Sequence, residues 1–68
     1  MTIGEFIQAK LQEYQLEELV CDHNNDYTYV RFNKIDNSLK AMNFANFVAE
    51  AQLVEIRGND NGSISCWF

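Results

Sequence analysis

Apolar residues near the beginning of the chain recur at the spacing of one helical face, with polar residues between them. Thr2 and Glu5 stand three positions apart, as in a capping box, where each side chain satisfies a backbone N–H at the start of a helix. The pattern therefore predicts an amphipathic helix near residues 3–16. Its apolar face consists of Ile3, Phe6, Ile7, Leu11 and Tyr14.

A second amphipathic helix is predicted near residues 38–51. Three residues that favour helix N-caps, Asp36, Asn37 and Ser38, stand at its beginning. The apolar positions that follow fit a period of 3.6 residues. Its apolar arc consists of Ala41, Phe44, Ala45, Phe47, Val48 and Ala51.

After each helix the apolar period changes to two, which is typical of half-buried strands. Segments 19–23 and 27–32 flank a short turn rich in Asn and Asp. Segments 53–57 and 63–68 flank a turn rich in Gly and Asn at 58–62. Because these turn residues tolerate left-handed backbone conformations, each pair of segments predicts a β-hairpin.

The predicted elements form two successive helix-plus-hairpin units, in the order αββαββ, within a single domain covering residues 1–68. The apolar faces of both helices need a common surface, and one face of an antiparallel sheet supplies it. We therefore predict an α+β fold with two helices on one face of a four-stranded antiparallel sheet, with the strand order left open. Alternation places on the inner, helix-covered face Leu19, Cys21, Val30, Phe32, Val54, Ile56, Ile64, Cys66 and Phe68.

The same alternation directs aromatic residues and arginines away from the helices. Tyr, Trp and Arg are the residue types enriched in protein interface hot spots, so these residues are the candidate partner-binding group. Aromatic residues on an exposed sheet face can also serve only to pair across strands. The candidates are Tyr27, Tyr29, Arg31, Arg57 and Trp67, and they share the predicted outer face with Leu53, Glu55, Ser63 and Ser65.

The formal net charge of −5 is concentrated in the first part of the chain. Residues 1–26 contain six acidic residues and one Lys, whereas residues 27–68 contain four acidic and four basic residues. Nucleic acids and anionic lipids attract Lys and Arg, so this balance argues against direct binding to either. It suits a basic protein partner, whose approach the acidic residues would steer. The acidic candidates, expected towards one end of the domain, are Glu13, Glu17, Glu18 and Asp22.

The residues that could carry chemistry are few. His23 is the single histidine, and it could pair with Cys21 two positions before it or join Cys21 and Cys66 as zinc ligands if the first and fourth strands were adjacent. The pair has no identifiable orienting residue and no helix start that could bind an oxyanion, and the spacing of the three residues is no recognised zinc pattern. We expect both cysteines to be reduced core residues, and we predict no catalytic site, no metal and no cofactor.

The longest stretch without a charge, Ala41 to Ala49, is nine residues, whereas a membrane-spanning helix needs about 20. The beginning of the chain carries Glu5 where a signal peptide would carry cations, so we expect a cytoplasmic protein.

The sequence thus predicts a small, acidic, non-catalytic protein-binding module. Candidate roles are an inhibitor, an antitoxin, an immunity protein or an accessory protein of a phage or mobile element, which blocks a larger basic partner. The alternative is a structural or assembly protein whose aromatic sheet face forms a homodimer interface. Single-stranded nucleic-acid binding by stacking on the aromatic face is a third hypothesis, which the acidic balance disfavours.

Overall fold

A computed structural model describes residues 2–68. The strands form one antiparallel sheet in the order β1-β2-β4-β3, so that each hairpin contributes one central and one edge strand. Both helices pack on the same face of this sheet, which confirms the predicted α+β fold. The elements within residues 2–68 are α1 (Ile3–Glu13), β1 (Glu18–His23), β2 (Thr28–Phe32), α2 (Ser38–Ala51), β3 (Glu55–Gly58) and β4 (Ile64–Trp67).

The helix ends follow from local hydrogen bonds and backbone angles. Thr2 and Glu5 form the predicted capping box, each side chain accepting the other's backbone N–H at 3.1 Å. Asn37 caps α2 by accepting the N–H of Lys40 at 2.8 Å. The first helix ends earlier than predicted, because Gln15 adopts a left-handed conformation with φ of 54°.

The core lies between the helices and the inner faces of the central strands. The Phe47 side chain is fully buried, and its ring meets the rings of Phe32 and Phe68 edge-on, with centroids 5.7 and 5.2 Å away. Such edge-to-face contacts are favourable beyond the area that they bury. The buried core residues are Ile7, Leu11, Val30, Phe32, Phe47, Ala51, Cys66 and Phe68.

Three residues predicted for the inner, helix-covered face are largely exposed to solvent. Leu19 is 55% exposed because a β-bulge between Glu18 and Val20 takes it out of register with β2. Val54 is 78% exposed, since β3 begins only at the next residue. Ile56 does face the helix side, opposite buried Cys66, but it lies on the edge strand and stays 47% exposed.

The start of the second hairpin also differs from strict alternation. Leu53 was predicted to lie on the outer face, but it packs against the core. Its backbone N–H points back to the carbonyl of Val48 at 3.5 Å, at the end of α2. Leu53 therefore belongs to the helix terminus, and the period of two begins after it.

A polar contact joins the two helices at the surface. Tyr14 donates a hydrogen bond from its hydroxyl to the carboxylate of Glu50, and Lys10 lies 3.3 Å from the same carboxylate. This hydrogen bond is the main reason that the pKa of Tyr14 rises to about 12. The same bond is the largest contribution lowering the pKa of Glu50.

Candidate interaction face

The face of the sheet opposite the helices carries two rows of side chains that cross all four strands. The first row, from β1 to β3, is Asp22, Tyr29, Trp67 and Glu55. The second row is Val20, Arg31, Ser65 and Arg57. We call these eight residues the outer face.

Two aromatic rings form the centre of the outer face. The ring centroids of Tyr29 and Trp67 are 5.0 Å apart and their planes are tilted by 48°. The guanidinium carbon of Arg57 lies 5.5 Å from the centre of the Trp67 ring, and the guanidinium also contacts the Glu55 carboxylate at 3.1 Å. A guanidinium held over Trp gains cation–π attraction, so the rings and the charges restrict one another's positions.

A chain of polar side chains supports this centre. The hydroxyl of Tyr29 and Oγ of Ser65 are 2.9 Å apart, within hydrogen-bonding distance. The side-chain amide of Asn59 donates to Oγ of Ser65 at 3.1 Å and to Oγ of Ser63 at 2.9 Å. The hydroxyl of Ser63 in turn donates to the Asn61 side chain at 2.6 Å. Because Ser63 and Ser65 are both buried, this network fixes the tyrosine ring from below.

Sequence reasoning missed the part that Asn59 and Asn61 play in this network. Both residues were accounted for as formers of the turn between β3 and β4, and the turn does include a hydrogen bond from Gly62 N–H to the carbonyl of Asn59 at 3.0 Å. The available signal was the spacing of Ser63 and Ser65, two small polar residues on the same side of a strand as Trp67.

The structure brings together Tyr29, Arg31, Arg57 and Trp67 from the predicted aromatic and basic group. Tyr27 lies outside the two rows, since β2 begins one residue later. Its backbone N–H donates to the Asn24 side chain at 3.0 Å in the turn, and its side chain is 41% exposed. Tyr27 is thus a neighbour of the outer face rather than a member of it.

The acidic candidates fall into two places rather than at one end of the domain. Glu13, Glu17 and Glu18 lie around the connection from α1 to β1. Asp22 lies near the other end of β1, beside Tyr29 on the outer face. The difference arises because β1 is extended, and four residues along a strand cover about 13 Å.

The two cysteines lie in one row of the inner face with Val30 between them. They are separated by two strand spacings, roughly 9.6 Å, which exceeds the Cα separation of about 7 Å that a disulfide can bridge. β2 also separates β1 from β4, so the strand adjacency that a zinc site with Cys21, His23 and Cys66 requires is not present in the sheet. Both thiols are free, and burial raises the pKa of Cys66 to about 11.

A cleft of about 260 Å³ opens on another part of the surface, between the α1–β1 and β2–α2 connections. Its apolar lining includes Leu16 and Phe44, and its charges come from Glu17, Lys34 and Lys40 with one further carboxylate, Asp36. Because the two signs balance, the cleft favours neither an anion nor a cation.

The chain is therefore a small two-layer α+β domain with an aromatic and charged outer face. Comparison with models of known protein families, with curated proteins and with solved structures found no match. None of the helices within residues 2–68 combines the length and the apolar character needed to cross a membrane.

Proposed function

We propose that this chain is a non-catalytic protein-binding module that covers a site on a larger, basic protein with its outer face. The observation that carries the proposal is the fixed arrangement of Tyr29 and Trp67 at the centre of that face. Both side chains are half-buried, so part of each ring is held by neighbours while the rest is available to a partner.

Prior ordering of these rings favours binding. Immobilising a mobile side chain at an interface costs about 0.5–1.5 kcal/mol. Tyr29 is held by Ser65, and Trp67 is held between Tyr29 and Arg57, so most of this ordering precedes contact with a partner. Aromatic residues in such a position are typical anchors of a binding surface.

The charges around the rings supply specificity. Asp22 and Glu55 stand at the two ends of the aromatic row, and Arg31 and Arg57 stand in the row beside it. A partner with basic groups at the spacing of the two carboxylates would match the aromatic row. With a net charge of −5, the chain would also attract a basic protein over longer distances, an effect that salt weakens.

Blocking a partner without catalysis is the mode of action of inhibitors, antitoxins and immunity proteins, and of accessory proteins of phages and mobile elements. We place the chain in this functional class. The two free thiols fit a reducing compartment, and the cytoplasm is the location that we propose.

The test uses a matched pair of variants, first to capture the partner and then to measure the affinity for it. W67A removes a central anchor, and M42A removes an exposed apolar side chain, 64% accessible, from α2 on the other side of the domain. We expect wild type and M42A to capture the same basic protein from the source cell, and W67A to bind the purified partner about 30-fold more weakly, a loss of about 2 kcal/mol.

Two controls are needed to interpret the loss of affinity in W67A. Circular dichroism should show that W67A remains folded, and the association rate with the partner should fall as salt is raised. A partner affinity that is the same for wild type, Y29A and W67A would refute the proposal. A dimer in solution that W67A dissociates would instead favour the alternative, in which the outer face is a homodimer interface.

A further inference from the structure

β3 is an edge strand with an open hydrogen-bonding side. It pairs with β4 on one side, and all four of its residues are exposed. The backbone N–H of Asn59 donates to the carbonyl of Ser63 at 2.9 Å, which sets the alternation of the ladder. This alternation directs the backbone N–H and C=O groups of Ile56 and Gly58 towards the free edge.

β3 has some of the features that protect edge strands from pairing and lacks others. Natural edge strands are guarded by charged side chains, especially Lys, by Pro, by bulges, by short length or by a covering element. β3 is short and carries two charges, but the charges are of opposite sign and the strand has neither Lys nor Pro. β3 has the sequence EIRG, in register with β4 over its whole length. Within residues 2–68, Ile56 keeps 47% of its surface exposed on the helix side of the sheet, and the adjoining Val54 keeps 78%.

We propose that β3 pairs with β3 of a second copy of this chain, so that the two sheets form one continuous antiparallel sheet. The two-fold axis passes beside Ile56, so that Ile56 of each copy exchanges backbone hydrogen bonds with Ile56 of the other. The apolar side chains of the two Ile56 residues then meet on the helix side of the sheet.

Charge complementarity argues for a second copy as the occupant. In this register Glu55 of one copy lies directly opposite Arg57 of the other, and the two-fold axis repeats the pair. Residues on either side of a hydrogen-bonded pair form close pairs, with Cα atoms about 4.5 Å apart. Opposite charges at such positions stabilise strand pairing, so the outward-facing charges of β3 complement themselves.

The other edge of the sheet has no such self-complementarity. β1 carries Glu18 and Asp22 and has neither Lys nor Arg, so pairing of two β1 strands would bring acidic residues together. In the sheet order β1-β2-β4-β3, joining two copies through β3 puts the acidic β1 strands at the far ends. Repulsion between two chains of net charge −5 is then least at the junction.

Because the two-fold axis is perpendicular to the sheet, both outer faces lie on the same side of this dimer. The dimer leaves Tyr29 and Trp67 accessible, which distinguishes it from a dimer formed through the outer face. It does not depend on the proposed partner protein.

The proposed dimer is tested by reversing the charges of Glu55 and Arg57. Sedimentation velocity over a series of protein concentrations measures the dimer dissociation constant. E55R and R57E each place like charges opposite one another twice in the dimer. We expect either substitution to raise the dimer dissociation constant roughly tenfold or more. The double variant E55R/R57E restores opposite charges, and its dissociation constant should return to near the wild-type value.

Matched controls use another exposed ion pair. Asp36 and Lys40, at the start of α2, are 3.7 Å apart, and D36K and K40E change the net charge by the same amounts as E55R and R57E. These controls should leave the dissociation constant unchanged. A chain that stays monomeric at every concentration, single variants as dimeric as wild type, or a double variant that stays monomeric would each overturn the proposal. Loss of the dimer in W67A but not in E55R would overturn it too.

Discussion

Thr28 allows a direct measurement of what a buried hydroxyl without a hydrogen bond costs the stability of the domain. Its side chain is fully buried at the start of β2, and within residues 2–68 its hydroxyl oxygen has no hydrogen-bonding partner. Its backbone is fully paired, since Thr28 N–H donates to the Phe68 carbonyl at 3.0 Å and Phe68 N–H donates to the Thr28 carbonyl at 2.8 Å. The T28V substitution removes the hydroxyl and leaves this backbone pairing and the branched side-chain shape in place.

The expected gain follows from what the hydroxyl costs in the folded state. Burying a hydroxyl without a hydrogen bond costs about 1–3 kcal/mol in protein substitution data. The methyl group that replaces it adds apolar burial, worth up to about 0.8 kcal/mol. Allowing for imperfect fit, we expect T28V to raise the free energy of unfolding by about 1–2 kcal/mol. In a domain of this size each kcal/mol corresponds to roughly 4–8 °C in Tm.

Urea unfolding followed by Trp67 fluorescence measures this change, and an unchanged slope with urea would show that the unfolded state is unaffected. T28S is the matched control, because it keeps the hydroxyl and removes the methyl group. We expect T28S to lower the free energy of unfolding by about 0.5–1.5 kcal/mol. A destabilised T28V, with T28S close to wild type, would show that the hydroxyl makes a necessary hydrogen bond and would refute the reasoning.

Three further predictions concern the helices and the thiol of the core. Tyr14 has its pKa raised from 10.0 to about 12, so the stability that it adds is complete below pH 10 and is lost as the pH rises towards 12. The pKa of Glu50 is lowered from 4.5, so the stability that Glu50 adds is lost as the pH falls below 4.5. The free energies of unfolding of wild type and Y14F, measured as a function of pH, should therefore differ least at the acidic and the alkaline ends of this range. A Cβ atom at Gly4 would lie 3.0 Å from the ring of His23, which is too close for an unstrained contact. Alanine is the better helix former, so G4A should raise the free energy of urea unfolding by up to about 1 kcal/mol in the H23A background, where the ring is absent. In wild type the gain should be smaller. Cys66 is fully buried with its pKa raised to about 11. In a variant that retains only this thiol, the reaction with a thiol reagent at pH 8 should therefore be no faster than the opening of the folded domain around Cys66.

The period of the apolar positions was sufficient to predict the types and order of the elements. The α1 capping box and the Asn37 cap are local features, and both appear where the sequence predicts them. The end of α1 was predicted too late, because the helix closes in a Schellman motif with Gln15 in the left-handed conformation. The N–H groups of Gln15 and Leu16 donate back to the carbonyls of Gln12 and Leu11 at 3.1 and 2.9 Å. A residue other than Gly rarely adopts this conformation, and nothing in the local sequence signals it.

The side chains that meet on the outer face depend on strand order, which the period of two does not determine. Tyr29 and Trp67 alternate correctly on their own strands in any arrangement of the hairpins. They touch only because β2 and β4 are neighbours. The bulge that exposes Leu19 is likewise a property of how β1 pairs with β2, and an alternating pattern cannot reveal it.

The two edges of the sheet differ in charge, whereas the aromatic row across its centre is nearly symmetric. Each helix-plus-hairpin unit places its second strand at the centre, so the aromatic row has an acid at each end and two rings between them: Asp22, Tyr29, Trp67 and Glu55. The symmetry ends at the edges. Glu55 on β3 has a basic neighbour two positions away in Arg57, whereas the carboxylates of β1, Glu18 and Asp22, have no Lys or Arg on their strand. An aromatic row with matching ends presents the same chemistry to a partner from either direction. In the proposed dimer, β3 is the edge on which a second copy extends the sheet. Glu55 and Arg57 belong to both surfaces, and the centre of the outer face, Tyr29 and Trp67, stays accessible to a partner.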